Sequence, residues 1–271
     1  MTREQLARFL RLVGVAARRP SLDALGELLA AHLSRVPFEN VSKLYRLRRS
    51  GLADVPDLET HLDGIERLRL GGTCYANAFH LNDLLLALGY RARLCGADMS
   101  RPDVHVVNVV ELDGRELLVD VGYGAPLFAP MPLDLDRVQV VELGRDRYVL
   151  RPRGADGGSA LEHHRDGALR HGYRVRPAPR ARAHFGGAIA DSFRPDATFM
   201  NAVVIIRFSA GRARVLRNLS LALAHGEREE RRSLADGAEL VRVAEEVFGV
   251  PPEVTAEAIA AVPDLGAEFS P

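Results

Sequence analysis

The chain is short of cysteine, lysine and net charge, and it has no long apolar run. Two cysteines in 271 residues, Cys74 and Cys95, do not make a disulfide framework. Lys43 is the only lysine, so arginine carries the remaining positive charge. Basic and acidic side chains number 36 each, for a formal net charge of +0. That balance removes any bulk electrostatic case for nucleic acid or a membrane surface as partner. No apolar stretch approaches the ~18 residues that read as a membrane span. The first residues lead into an amphipathic helix rather than a secretory leader. A reducing, cytoplasmic location is the expectation. The chain has no Walker-type phosphate loop. The length suggests about one to two domains and a sizeable core.

What is present begins at Gly71-Gly72-Thr73-Cys74, which runs straight into an apolar, helix-like stretch. A thiol at a helix start is a predisposed nucleophile, because the unpaired N–H groups and the helix dipole favour thiolate there. A base and an orienting carboxylate follow on one predicted β-hairpin. Val104–Leu112 alternates, Asp113-Gly114 is a two-residue turn signal, and Leu117–Tyr123 reads as the returning strand. With that turn, Leu112 faces Arg115 and His105 faces Gly122. Asp120 then lies diagonal to His105 on the same face, and a one-residue slip would move it to the other. Cys74, His105 and Asp120 thus supply the parts of an activated nucleophile in that order. Taken singly, a cysteine in an apolar region is a small buried hydrophobe and an aspartate at a strand end is a turn residue. The glycine pair and the shared hairpin face argue for the joint reading.

Three blocks organise the chain. In residues 1–90, Thr2–Gly14, Ser21–Arg35 and Asp57–Leu68 carry helical spacing, with Ser21 as N-cap. Cys74–Leu88 is a further helix that Gly89 ends. Residues 91–185 are strand-rich with Gly and Pro punctuation. Their Arg- and Gly-rich part, Arg151–Ala183, reads as strands joined by mobile, solvated turns. In residues 186–271, strands are expected at Asn201–Ser209 and Ala213–Leu216 and helices at Gly237–Phe248 and Glu253–Ala261. His163, His164, His171 and His184 have neither the spacing nor the cysteine partners of a zinc site, so they are expected on the surface and no metal is expected. His80 is poorly placed to compete as the base, and Cys95 reads as an inert strand residue.

Several segments match a known family in order. Val36-Pro37-Phe38-Glu39-Asn40, Gly71-Gly72-Thr73-Cys74, the strand opening at His105, Val119-Asp120-Val121-Gly122-Tyr123-Gly124 and, loosely, Asp191-Ser192-Phe193 through Met200-Asn201 resemble the arylamine N-acetyltransferases. The resemblance implies an α+β fold with a transglutaminase-like core: an N-terminal helical bundle, a central antiparallel β-barrel-like domain and a C-terminal α/β lid. It implies Cys74, His105 and Asp120 as the catalytic triad. It also implies Phe38 and Tyr123 as pocket residues toward substrate, and Gly122 and Gly124 would let backbone approach a bound ligand closely. The family arginine before the glycine pair is Leu70 here, and the Glu and Asn that follow its cysteine are Ala76 and Ala78. Arg69 is the expected replacement partner for Glu39. The implied reaction moves an acetyl group from acetyl-CoA to an arylamine or hydrazine through a Cys74 thioester, in ping-pong fashion. The residues that would hold coenzyme A are not legible. Two other readings stay open: an amide synthase moving a larger acyl group from a carrier-protein or CoA thioester, and a non-catalytic or hydrolytic relative.

Overall fold

A computed structural model describes residues 1–267. Its first third is helical: α1 (Arg3–Val13), α2 (Leu22–Arg35), α3 (Val41–Ser50), α4 (Leu58–Leu68) and α5 (Cys74–Ala87). A two-residue strand, β1 (Phe38–Glu39), separates α2 from α3. Local chemistry starts three of these helices. Thr2 and Gln5 form a reciprocal capping box on α1, and the side chains of Ser21 and Asp57 cap α2 and α4. Phe9, Val13, Leu25, Leu29, Leu81 and Leu85 fill the space between α1, α2 and α5. Every side chain from Tyr75 to Asn82 is buried, so α5 is the central helix, covered on all sides rather than amphipathic.

Eight antiparallel strands follow: β2 (Arg91–Asp98), β3 (His105–Leu112), β4 (Arg115–Val119), β5 (Met131–Pro132), β6 (Gln139–Leu143), β7 (Asp146–Leu150), β8 (Ser159–Arg165) and β9 (Ala168–Pro179). They lie in the order β5-β4-β3-β2-β9-β8-β7-β6. The Gln139 amide donates to the Pro132 carbonyl at 2.6 Å, linking the two edge strands of a nearly closed barrel. Val107, Val109, Leu118, Leu150, Leu161 and Tyr173 fill its interior. The β3–β4 hairpin has the expected register, with Leu112 opposite Arg115. Asp113 and Gly114 both have positive φ, the signature of a type I′ turn. The returning strand is shorter than expected: it ends at Val119, and Asp120 leads into a bend.

The last block contributes α6 (Gly186–Asp191), a meander of β10 (Val204–Ser209), β11 (Arg212–Arg217), β12 (Ser220–His225) and β13 (Arg228–Ser233), then α7 (Gly237–Val243) and α8 (Pro252–Ile259). The strand expected from Asn201 begins at Val204, because residues 198–200 form a 3₁₀ turn. The helix expected over Gly237–Phe248 is α-helical only to Val243 and continues as a π turn over Ala244–Phe248. β1 joins the edge of this second sheet, in the order β1-β10-β11-β12-β13. Asn40 locks the junction. Its amide donates to the carbonyls of Phe199 and Ala202, and its side-chain oxygen accepts from the Val204 N–H. Among the described residues no helix is long and apolar enough to cross a membrane.

Candidate active site

Cys74 is the first residue of α5, and no side chain caps that end of the helix. The glycines before it are sterically required. A Cβ on Gly71 would stand 2.0 Å from the Pro37 carbonyl oxygen, so only glycine lets the loop lie against β1. Glu39, fully buried, fixes the loop from the other side. Its carboxylate accepts the Ser42 N–H at 2.7 Å, at the start of α3, and the Gly71 N–H at 3.0 Å. Burial pushes the Glu39 carboxyl up, while those two N–H groups and the Arg46 guanidinium oppose that rise. The cation beside Glu39 is therefore Arg46, not Arg69. Arg69 is the left-handed residue ending α4 and packs near Gly249, at a separate surface cleft that Arg207 also lines.

His105 opens β3, and its Nε2 lies 2.9 Å from Oδ2 of Asp120. Both are buried. With Nε2 engaged, Nδ1 is the nitrogen left for Cys74, whose nearness raises the His105 pKa and whose Sγ lies 4.0 Å from the Val104 carbonyl oxygen. Asp120 has every bond it needs as a carboxylate. Oδ2 also accepts the Tyr173 hydroxyl at 2.8 Å, and Oδ1 accepts the Gly122 N–H at 2.8 Å. Burial lowers the His105 pKa, but the Asp120 charge and hydrogen bond together with Cys74 outweigh it and raise the value to about 10. The Asp120 carboxylate and the neighbouring sulfur thus both favour the protonated ring. Gly122 permits the approach of the two elements: a Cβ there would lie 2.9 Å from the Cys74 Cα. Tyr173 comes from β9, far along the chain, and nothing in its sequence context marks it.

Lys43 is a second feature that the sequence did not reveal. It donates to the carbonyl and hydroxyl of Ser192 and lies over the Phe193 ring at 4.0 Å. Burial lowers its pKa to about 8, and Cys74 acts in the opposite direction. The single lysine thus places its positive charge near Cys74.

Cys74 and His105 lie in the wall of a cavity of about 790 Å³. The four residues expected to face substrate, Phe38, Gly122, Tyr123 and Gly124, line this same space. The far wall corrects an expectation. His163 and His171 are not surface residues. β7, β8 and β9 fold them against the cavity, where His163 is 7% exposed and both rings join a hydrogen-bonded chain. Tyr123 Oη meets His171 Nδ1 at 2.5 Å, His171 Nε2 meets His163 Nδ1 at 3.0 Å, and His163 Nε2 meets Asp146 Oδ1 at 2.7 Å. The strand alternation that brings these groups inward was obscured by an Arg-rich segment. His164 and His184 do behave as surface histidines, paired with Glu162 and Asp103. Cys95 is buried in β2, where burial pushes its thiol up. His80 is buried against His61, with ring centres 4.3 Å apart.

Comparison with known proteins places the chain in a family. The N-acetyltransferase family profile matches residues 21–257. The chain is 32% identical over 146 residues to an arylamine N-acetyltransferase, the pineal gland isozyme NAT-3 of Gallus gallus, covering 50% of this chain and 49% of that protein. It is 26% identical over 258 residues to the arylamine N-acetyltransferase of Mycolicibacterium smegmatis, covering 90% and 91%. A third relative, Proansamycin X synthase of Amycolatopsis mediterranei, is 30% identical over 154 residues, covering 49% and 56%. The structure of the Mycobacterium marinum arylamine N-acetyltransferase in complex with CoA superposes with a TM-score of 0.79 at 26% identity, covering 95% and 99%. The chain belongs to the arylamine N-acetyltransferase family of acyltransferase enzymes.

Proposed function

We propose that the protein transfers an acetyl group from acetyl-CoA to an arylamine, hydrazine or related small amine through a thioester on Cys74. The observation that carries this reading is the 2.9 Å His105–Asp120 contact, with Cys74 and His105 together in the wall of one cavity. His105 takes the thiol proton, and Asp120 orients the ring and stabilises its charge. The thiolate attacks the acyl carbonyl of the donor thioester, and backbone N–H groups at the start of α5 stabilise the oxyanion. The donor thiol leaves with the proton from His105, and the acetyl group remains on sulfur. An amine then attacks the acyl-enzyme, His105 accepts its proton, and the amide departs as the thiolate re-forms. The two half-reactions share one site, so kinetics are ping-pong. Phe38, Gly122, Tyr123 and Gly124 bound the acceptor space. Arylamines suit the scheme because they are unprotonated at neutral pH. The reading involves no metal and no nucleic acid or membrane partner, and it places the enzyme in the cytoplasm.

A second reading has specific support. The cavity is larger than an acetyl group and a single aromatic ring need, and Proansamycin X synthase is among the relatives. An amide synthase would move a larger acyl group from a carrier-protein or CoA thioester. Steady-state assays with acetyl-CoA and an arylamine separate the readings. Parallel double-reciprocal lines, abolished in Cys74→Ala, support acetyl transfer. No turnover while Cys74 remains rapidly alkylated supports the amide synthase. No turnover with an unreactive Cys74 supports a relative without the chemistry.

A further inference from the structure

A second cleft, of about 720 Å³, is lined by a different set of residues from the Cys74 cavity. It lies between the C-terminal ends of α2 and α4, one face of β10–β12 and the π turn after α7. Four arginines border it, Arg35, Arg69, Arg207 and Arg214, against two exposed glutamates, Glu245 and Glu246. Two of the arginines are used by the fold. Arg35 donates to the Val13 carbonyl at 2.7 Å, at the end of α1. Arg207 donates to the carbonyls of Val247 at 2.8 Å and Phe248 at 3.1 Å. Both thus serve carbonyls at the ends of helical turns, where no partner is available within the turn itself.

Arg69 and Arg214 have no such employment. Among the described residues neither guanidinium makes a hydrogen bond or an ion pair, although both glutamates border the same cleft. Arg69 ends α4, where the helix dipole favours a cation. Arg214 has no comparable account. It sits within β11 directly opposite Arg207 on β10, so the two side chains share one face of the sheet. Like charges at opposed positions destabilise a strand pair. Burial lowers the Arg207 pKa, and the charges of Arg214 and Arg69 push it the same way. Three guanidinium groups therefore crowd one cleft, and among the described residues no carboxylate is paired with any of them. An oxyanion bound there relieves the repulsion and occupies the two unused forks. Leu223, opposite Arg214 on β12 and 37% exposed, sets an apolar surface beside the charges.

We propose that this cleft is a second ligand site, which binds an oxyanion of the phosphate type, free or carried on a phosphomonoester, through the guanidinium groups of Arg69 and Arg214 beside Arg207. The cleft backs onto two elements that shape the active site. Arg69 stands two residues before Gly71, whose N–H is anchored on Glu39. Ile206, next to Arg207 in β10, faces the Cys74 cavity from the other side of the sheet.

Calorimetric titration with inorganic phosphate and with phenyl phosphate tests the site, at low ionic strength and about pH 8, where the phosphate group is a dianion. Saturable binding is expected, weakening as chloride is raised. Arg69→Gln and Arg214→Gln should each weaken it by roughly ten- to a hundredfold, the effect of one hydrogen bond between charged groups. Arg214→Lys, which keeps the charge and loses the fork, should recover part of that loss. Replacing Glu245 and Glu246 together by Gln should tighten binding by roughly two- to fivefold. Tighter binding of phenyl phosphate assigns a phosphomonoester whose organic part lies on Leu223, and equal affinity assigns the free anion. The Arg214 side chain has no partner in the free chain, so the urea midpoint of Arg214→Gln should not fall, and its loss of binding is then not a loss of folding. No saturable heat with either probe overturns the proposal. Binding equal in the unmodified chain and in both Arg→Gln variants places the anion elsewhere and overturns it as well.

Discussion

At the scale of single residues, the site depends on groups that hold Asp120 as much as on Asp120 itself. The carboxylate accepts three hydrogen bonds, from His105, Tyr173 and Gly122. Tyr173→Phe removes one donor from a buried charge without opening a void. It should slow acyl-enzyme formation by roughly ten- to a hundredfold, the worth of one hydrogen bond to a charged group, with little change in acceptor preference. An unchanged single-turnover rate would separate Tyr173 from the chemistry. Gly122→Ala is harsher, since the new Cβ falls 2.9 Å from the Cys74 backbone. It should cost about 1–3 kcal/mol of stability, read from denaturant midpoints, and slow Cys74 alkylation. The nearness of Cys74, His105 and Asp120 was legible because they lie on a glycine-marked helix start and one short hairpin, where spacing fixes facing. Tyr173, Lys43 and the His163–His171 pair were not legible. Each reaches the site through contacts that no local pattern encodes.

At the scale of elements, the loop before Cys74 is tied to β1 and α3 through Glu39. Its two oxygens serve two backbone N–H groups, from Ser42 and Gly71. Glu39→Gln leaves one acceptor for two donors and turns an amide N–H toward a buried N–H. A loss of about 1–3 kcal/mol is expected, together with slower alkylation of Cys74, because Gly71 no longer has its anchor. Midpoints and alkylation rates equal to those of the unmodified chain would contradict the anchoring role. Helices with a clear cap and apolar spacing were readable from sequence. α3 was not, since its stretch VSKLYRLRRS is rich in basic residues and its cap residue, Asn40, spends its side chain on the 199–204 loop. β13 was also missed. Its sequence REERRS has no apolar alternation and forms an exposed edge, which the charges protect from pairing with another chain.

At the scale of the whole molecule, buried histidines couple the fold to pH in two opposite senses. His32 and His80 are buried, and burial lowers both values to about 4. The unfolded chain binds their protons near pH 6.5 and the folded chain does not, so stability falls as pH drops from about 6.5 toward 4. For each, the drop from 6.5 to about 4 corresponds to roughly 3 kcal/mol at the acid end. His105 has the reverse sign. Its value is raised to about 10, so its contribution is full below pH 6.5 and is lost as pH rises through 10. Urea midpoints should be lower at pH 5 than at pH 7, and His32→Leu should flatten that difference. Equal midpoints at the two pH values would contradict the burial argument. The overall architecture was legible through the resemblance, which spans nearly the whole chain. The strand order was not, because pairings such as β1 with β10 and β2 with β9 join distant segments.

The proposed chemistry turns on a thioester at Cys74. Intact mass after brief incubation with acetyl-CoA tests it most directly, without an amine present. A gain of one acetyl group, absent in Cys74→Ala and discharged on adding an arylamine, is the result predicted. An unmodified mass, or an acetyl group that persists in Cys74→Ala, would contradict it.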